Sequence, residues 1–412
     1  MSTATINIIY LVFVQAMIYL SPLITLPYLT RVLQVEQFAA LSFVQIFIQY
    51  FIFVTDYGFG ITVTRLITLW RHDWERISDI VINTLAVKLI LAILMAGICL
   101  SMLFLIPSLR GSEWLTAAAF IGVFSNALFP TWLFQGLERM KQLAFITGIS
   151  RLAVLPLIFL FVKSPGDVVL AAALMSTPGL IASLMSYFYF RKLKTLIWAP
   201  VSTRRMFELL REGWPVFASN ISISLYTMVN LTVLKFLGTS EQVAFFAASD
   251  KIRSGIQGFI SPIASALFPR FVASGASPKP EEFRRLNRLG WCSLVGTQII
   301  GAAFIFFGAD FIAINYFGAA FAGVAIYLKA FAVLPVIIAV ATIFSQWRLL
   351  ALGEGLVLSR IYVIAGPLHI VYAIAATYYW GWIGLLSSVY LTEIMVTFAM
   401  YCVIRNKRIQ IF

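Results

Sequence analysis

Charge is scarce in this sequence, and acidic charge scarcest. Asp and Glu number 17 in 412 residues, and all charged residues make up 11%. Soluble globular chains carry about 25% charged residues, so an ordinary water-facing surface is excluded. Histidine occurs twice, as His72 and His369, far apart in sequence, and no metal cluster is expected from that pair. Cysteine occurs three times, as Cys99, Cys292 and Cys402, an odd number set in apolar segments. These form neither a disulfide framework nor a ligand set. There is no phosphate-binding GxxxxGK[ST] loop, no GxSxG and no HExxH, so ATP-driven chemistry on this chain and the common hydrolase constellations are excluded. No Lys or Arg precedes the first apolar run, 7–33. That run is too long for a signal-peptide core and shows no cleavage site, so it is expected to stay as a span.

What the chain has instead is apolar length. Hydrophobic residues make up 61% and aromatics 15%, and mean hydropathy is +0.93. Apolar runs of 18 or more residues mark membrane spans. Twelve are predicted, at 7–33, 38–66, 79–106, 114–136, 142–162, 167–190, 214–236, 242–271, 288–308, 322–347, 355–379 and 381–404. Several contain proline, among them Pro22, Pro27, Pro130, Pro156, Pro178, Pro215, Pro335 and Pro367, where helices are expected to kink. The expected fold class is an all-α polytopic membrane protein. Its twelve transmembrane helices form an N-terminal six-helix bundle, 1–190, and a C-terminal one, 214–412. A cytoplasmic linker, 191–213, joins them with a short interfacial helix in TRRMFELLREG.

Basic residues set the orientation. Of the 30 Lys and Arg, 21 fall on segments on the side of the termini and four on the other side. The positive-inside rule places both termini in the cytoplasm. The formal charge of +13 is therefore mainly a topology signal with some attraction to anionic membrane lipid, and no nucleic-acid partner is expected.

The five remaining cations lie inside spans: Lys88, Arg151, Lys251, Arg253 and Lys329. Three acids join them: Asp56, Asp250 and Glu393. A charge in hydrocarbon is expensive and faces a bundle interior or a wet cavity. Asp250 and Arg253 are three apart on one helix face and can partly neutralise each other, which leaves Lys251 over. A surplus of buried cations points to an anionic ligand. The alternative for Lys88 and Lys329 is snorkelling to an interface. Asp56 sits beside the helix-loosening Gly58 and Gly60, where it could bind a proton or Na⁺ or pair structurally with an Arg such as Arg65. Asn83, Asn126, Asn220, Asn230, Gln45, Gln49 and Gln298 are further polar groups in spans; they could meet sugar hydroxyls or simply join helices.

The stretch RVLQVEQFAAL at 31–41 has a fainter copy in KFLGTSEQVAFFAASDKIR at 235–253. A repeat at half-length marks transporters built from two related bundles, although shared helix-hairpin chemistry gives the same pattern.

PLITLPYLTRVL at 22–33, EQFAAL at 36–41, QYFIFVTDYGFG at 49–60 and FQGLERMK at 134–141, supported by SEQVAFFAASDKI at 240–252, resemble the Wzx-type O-antigen flippases. These belong to the polysaccharide-transport branch of the multidrug/oligosaccharidyl-lipid/polysaccharide (MOP) exporter superfamily. The resemblance implies a MATE-like fold of two six-helix bundles around a central cationic cavity. It implies a substrate of undecaprenyl-diphosphate-linked glycan, flipped from the cytoplasmic to the periplasmic leaflet of the bacterial inner membrane by alternating access. It also allows a polysaccharide polymerase as partner and coupling to H⁺ or Na⁺, with no bound cofactor and no enzymatic activity. Under it, Lys251, Arg253, Arg151, Lys329 and Lys88 are candidate substrate-binding cations, and Asp56, Asp250 and Arg65 are candidate coupling or structural charges. Two other readings are a cation-coupled multidrug exporter of the same superfamily, which would favour acids over bases in its cavity, and a polytopic O-antigen polymerase or ligase. The latter needs a large charged outer loop, which this chain does not have.

Overall fold

The structure, a computed structural model, describes residues 3–193, 199–261 and 280–407, with 263, 264, 267, 268 and 271 between the last two stretches. Among the described residues there are helices and turns and no strand. Eight helical stretches among the described residues are long and apolar enough to cross a membrane, and two of these run to 57 and 52 residues. At 1.5 Å per residue a 57-residue helix would be about 86 Å long, against a hydrocarbon core of about 30 Å. Both must therefore turn.

The backbone shows where. Helix α1, Thr3–Asp56, breaks at Gln34, where φ is 57°. Gln34 is exposed, in a backbone region that side chains seldom occupy, and it lies between the predicted spans 7–33 and 38–66. The last helix breaks at Gly381, also at φ 57°. There the chain folds back on itself: a Cβ added at Gly384 would lie 2.0 Å from the Ala376 carbonyl oxygen, although residues eight apart in one straight helix stand about 12 Å apart. Only a glycine permits so close a return. The two copies of the repeat both prove to be turns, Gln34 in the first and Gly238–Thr239, which opens the next helix with a capping box to Gln242, in the second.

In chain order the remaining helices are α2 Phe59–Leu69, α3 Trp74–Leu105, α4 Glu113–Leu128, α5 Thr131–Gly136, α6 Met140–Phe161, α7 Val168–Ser176, α8 Pro178–Leu193, α9 Thr203–Leu237, α10 Ser240–Gln257, α11 Pro280–Phe311, α12 Val324–Phe331, α13 Leu334–Thr342 and α14 Gly355–Asn406. Three expected proline kinks are full breaks. Pro130 separates α4 from α5, Pro178 begins α8, and Pro335 stands in the first turn of α13, positions where the missing N–H is least missed. The short interfacial helix expected at the linker is instead the first turns of α9, which runs on through Gly213 and Pro215. The expected span 242–271 begins as α10, and several of its later residues lie outside the description. The passes carry large exposed apolar side chains, such as Phe307 at 83% and Leu356 at 79%, which is the exterior that lipid requires.

The chain divides into two compact units: Met1–Ser21 with Val32–Ile221, and Pro22–Arg31 with Ser222–Phe412. The first has a core of Phe59, Val63, Ile67, Ile80, Trp132, Leu133, Phe134 and Phe190. The second has a core of Ala264, Leu294, Ile343, Phe344, Trp347, Val396 and Met400. The segment Pro22–Arg31 is tied into the second unit by backbone acceptors. The Thr30 hydroxyl donates to the Phe317 carbonyl at 3.0 Å, the Arg31 guanidinium donates to the Asn315 carbonyl, and the Tyr316 hydroxyl donates to the Leu23 carbonyl.

Candidate functional site

Asp56 is the last residue of α1. Tyr57 and Gly58 follow with φ of 44° and 79°, and the chain restarts as α2. This break points the Asp56 carboxylate toward α3, where Lys88 lies among buried apolar residues. Lys88 is 2% exposed. Its ammonium donates to Asp56 Oδ1 at 2.8 Å, to the Asn126 carbonyl at 3.2 Å and to the Asn126 side-chain oxygen at 3.4 Å. Snorkelling is thus ruled out for Lys88: it is a buried cation held by one carboxylate. Asp56 in turn takes Lys88, not Arg65, as its partner. Arg65 is exposed on α2 and makes no ion pair among the described residues. Asp56, Lys88 and Asn126 line a cavity of about 250 Å³ in the first unit, together with Thr131, Asn220 and aromatic walls from Phe53, Phe129, Trp132 and Phe217.

In the second unit the predicted Asp250–Arg253 pair forms. Arg253 Nε and Nη2 both reach Asp250 Oδ1, at 2.8 and 2.7 Å. The same guanidinium donates to Gln257 and, at 3.1 Å, to the Ser254 hydroxyl. Lys251, the next residue along α10, is half-buried, as is Arg151 on α6, whose Nε is buried without a hydrogen-bond partner among the described residues. Lys329 is elsewhere than expected of an interior cation. Its ammonium pairs at 2.8 Å with Asp310 near the end of α11, with side chains 39% and 68% exposed.

Two buried polar centres were not foreseen. His369 bridges Thr392 Oγ1 at 2.8 Å and Asn230 Oδ1 at 2.9 Å, joining α14 to α9. Arg348, one residue past the predicted span 322–347, is 1% exposed; it lies over the Phe271 ring and bonds Asn287. Neither has a sequence signature, because each partner is on a distant helix.

An exterior of lipid-facing apolar side chains around units with paired interior charges defines a polytopic membrane protein whose fold is that of the MOP-superfamily transporters. It resembles the inward-facing structure of a multidrug resistance MATE family transporter of that superfamily, with TM-score 0.71 and 19% identity, covering 97% of this chain and 99% of that one. It equally resembles the lipid II flippase MurJ, with TM-score 0.71 and 13% identity over 98% of this chain and 86% of that one.

Within that fold the sequence is specific. The polysaccharide biosynthesis protein family model matches residues 4–274, and the chain belongs to that family. A Shigella dysenteriae protein described as a "Putative O-antigen transporter" is 32% identical over 96% of this chain and 98% of its own length. An Escherichia coli K12 protein with the same description is 28% identical over 98% and 97%.

Proposed function

We propose that this protein is a flippase. Its substrate is an oligosaccharide repeat unit on undecaprenyl diphosphate, O-antigen or a related surface polysaccharide, carried from the cytoplasmic to the periplasmic leaflet of the bacterial inner membrane. The observation that carries this reading is the near full-length likeness to proteins described as O-antigen transporters. The geometry supports it: the chain keeps charged and amide groups inside an apolar exterior, as a carrier of a polar headgroup must. A diphosphate and a glycan cannot cross hydrocarbon unaided, whereas a polyprenyl tail can stay in lipid. In this reading both termini are cytoplasmic, a gradient of H⁺ or Na⁺ supplies the energy, and Lys251 and Arg253 attract the diphosphate.

Complementation tests it. A flippase-null strain expressing a defined O-antigen cluster should regain surface polysaccharide when this chain is supplied, and its lipid-linked intermediates should stop accumulating. Restored drug efflux with no surface polysaccharide from any cluster would favour a multidrug exporter instead.

A further inference from the structure

Six of the seven amide side chains named in the spans fall into two groups; Gln49 is exposed and belongs to neither. Asn83 donates to Asp79 and accepts from the Ser202 amide, Asn230 bonds His369, Gln45 reaches Met175 and Gln298 reaches the Ile256 carbonyl. These four join chain segments. Asn126 and Asn220 instead line the cavity beside Asp56 and Lys88.

The charge in that cavity is already balanced. Lys88 and Asp56 are 2.8 Å apart, and one oxygen of the half-exposed carboxylate remains on the cavity side of the account. A diphosphate would meet no net positive charge there and would be repelled by that oxygen. Hydrogen-bonding capacity, by contrast, is unspent. Among the described residues Asp56 Oδ2, the Asn126 side-chain nitrogen, the Asn220 amide and the Thr131 hydroxyl have no protein partner. Around these donors and acceptors stand Phe53, Trp132 and Phe217. Polar groups that fix orientation on aromatic walls make a ligand pocket, and this mixture suits a ring with hydroxyls at its edge and C–H groups on its face. The volume, about 250 Å³, lies below the range of drug-sized sites, roughly 300–1,000 Å³, and fits one small ring.

We propose that this cavity in the first unit is a subsite for a single uncharged sugar ring of the transported glycan. The inference rests on the flippase reading for the origin of the sugar. It removes Lys88 from the cations that meet the diphosphate and gives Asp56 and Asn220 the role of reading hydroxyls. A site built to bond hydroxyls discriminates strongly against rings that lack them in the right places, so the cavity would help select the repeat unit.

The test uses the purified full-length protein in detergent and reads the fluorescence of Trp132, with Trp132→Phe as the reference for the other tryptophans. Methyl glycosides of neutral hexoses and N-acetylhexosamines are the probes, and inorganic pyrophosphate is the anionic comparison. At least one glycoside should give a saturable change with Kd on the order of 1–10 mM, as few contacts allow. Pyrophosphate should give none. Asn220→Ala and Thr131→Val should each weaken the glycoside about tenfold; the second serves if the first fails to accumulate. A response to pyrophosphate alone, no saturable response to any glycoside, or glycoside binding indifferent to both substitutions would overturn the proposal. Glycoside binding in a protein that fails complementation would leave the subsite and sink the flippase reading, and the reverse result would do the opposite.

Discussion

Arg253 spends two of its guanidinium nitrogens, Nε and Nη2, on one oxygen of Asp250, at 2.8 and 2.7 Å. Asp250 therefore has a counter-charge one helical turn away. Lys251→Ala should reduce export of surface polysaccharide at least tenfold while membrane protein level stays near wild type. Adding Asp250→Asn should not bring export back, because it removes the carboxylate that holds Arg253 in place. Full recovery in the double variant, read as surface polysaccharide against immunoblotted protein, would contradict this.

The Asp56–Lys88 pair is lopsided, with side chains 49% and 2% exposed. Removing one partner of a buried pair costs about 3–5 kcal/mol because a buried charge is stranded. The partner stranded by Asp56→Ala is the buried one, so the cost should be about 2–4 kcal/mol, seen as a lower Tm in detergent. Lys88→Met strands a carboxylate that can reach water and should cost about 1 kcal/mol. Equal losses, or a larger one for Lys88→Met, would show that Lys88 is better hydrated than its burial implies.

Gly136 lies in FQGLERMK, where α5 ends against α2. A Cβ there would stand 2.6 Å from Ile67 Cβ and 2.9 Å from the Thr64 carbonyl oxygen. Neither can swing aside, since one is at a branch point and the other is backbone. Overpacking of this kind costs about 1–3 kcal/mol, so Gly136→Ala should lower both Tm and membrane accumulation. Gly97, inside α3 with nothing within 4 Å of the added carbon, is the contrast. Gly97→Ala should stabilise by about 0.5–1 kcal/mol.

The start of α9 is fastened to the start of α3. Arg205 pairs with Asp79 at 3.1 Å and with Glu208 at 3.0 Å, and the Ser202 amide donates to Asn83 at 2.8 Å. The hydrogen bond from Arg205 holds the Glu208 carboxyl below its usual range. A depressed carboxylate pKa stabilises above the unfolded value and is lost as pH falls through the folded one. The protection of amides over residues 199–210, relative to intrinsic exchange at each pH, should thus be constant across neutrality and fall only below the ordinary carboxylate range. Arg205→Ala should raise exchange there severalfold at pH 7 without changing α6; an unchanged rate would show that the ion pairs are idle.

Local features were legible in the sequence and long-range ones were not. Asp250 and Arg253, three residues apart, could be paired from helical spacing alone. Lys88 and Asp56 are 32 apart and Lys329 and Asp310 are 19 apart, so the sequence leaves both lysines open between an interior cavity and snorkelling to an interface. The membrane class and the ends of most passes followed from apolar run length. The break at Gln34 falls in the gap between the predicted spans 7–33 and 38–66, although it uses a residue with no turn preference. The candidate sugar-facing residues Asn126 and Asn220 could be named beforehand only as members of a larger set. What separates them from Asn83 and Asn230 is that they line a cavity, which is a property of three dimensions.

The return of the chain at Gly381 bears on how the protein is made. Ala376 and Gly384 touch across a turn with no hydrophilic loop, and Tyr378, Tyr379 and Trp380 stand exposed on its approach. Nothing between the last two passes could linger in water while the second is synthesised. They must leave the translocation channel as one preformed hairpin, its aromatic tip stopping at the interface. Biogenesis of the last two passes is then a single insertion event, and a truncation between them should yield a product that quality control removes.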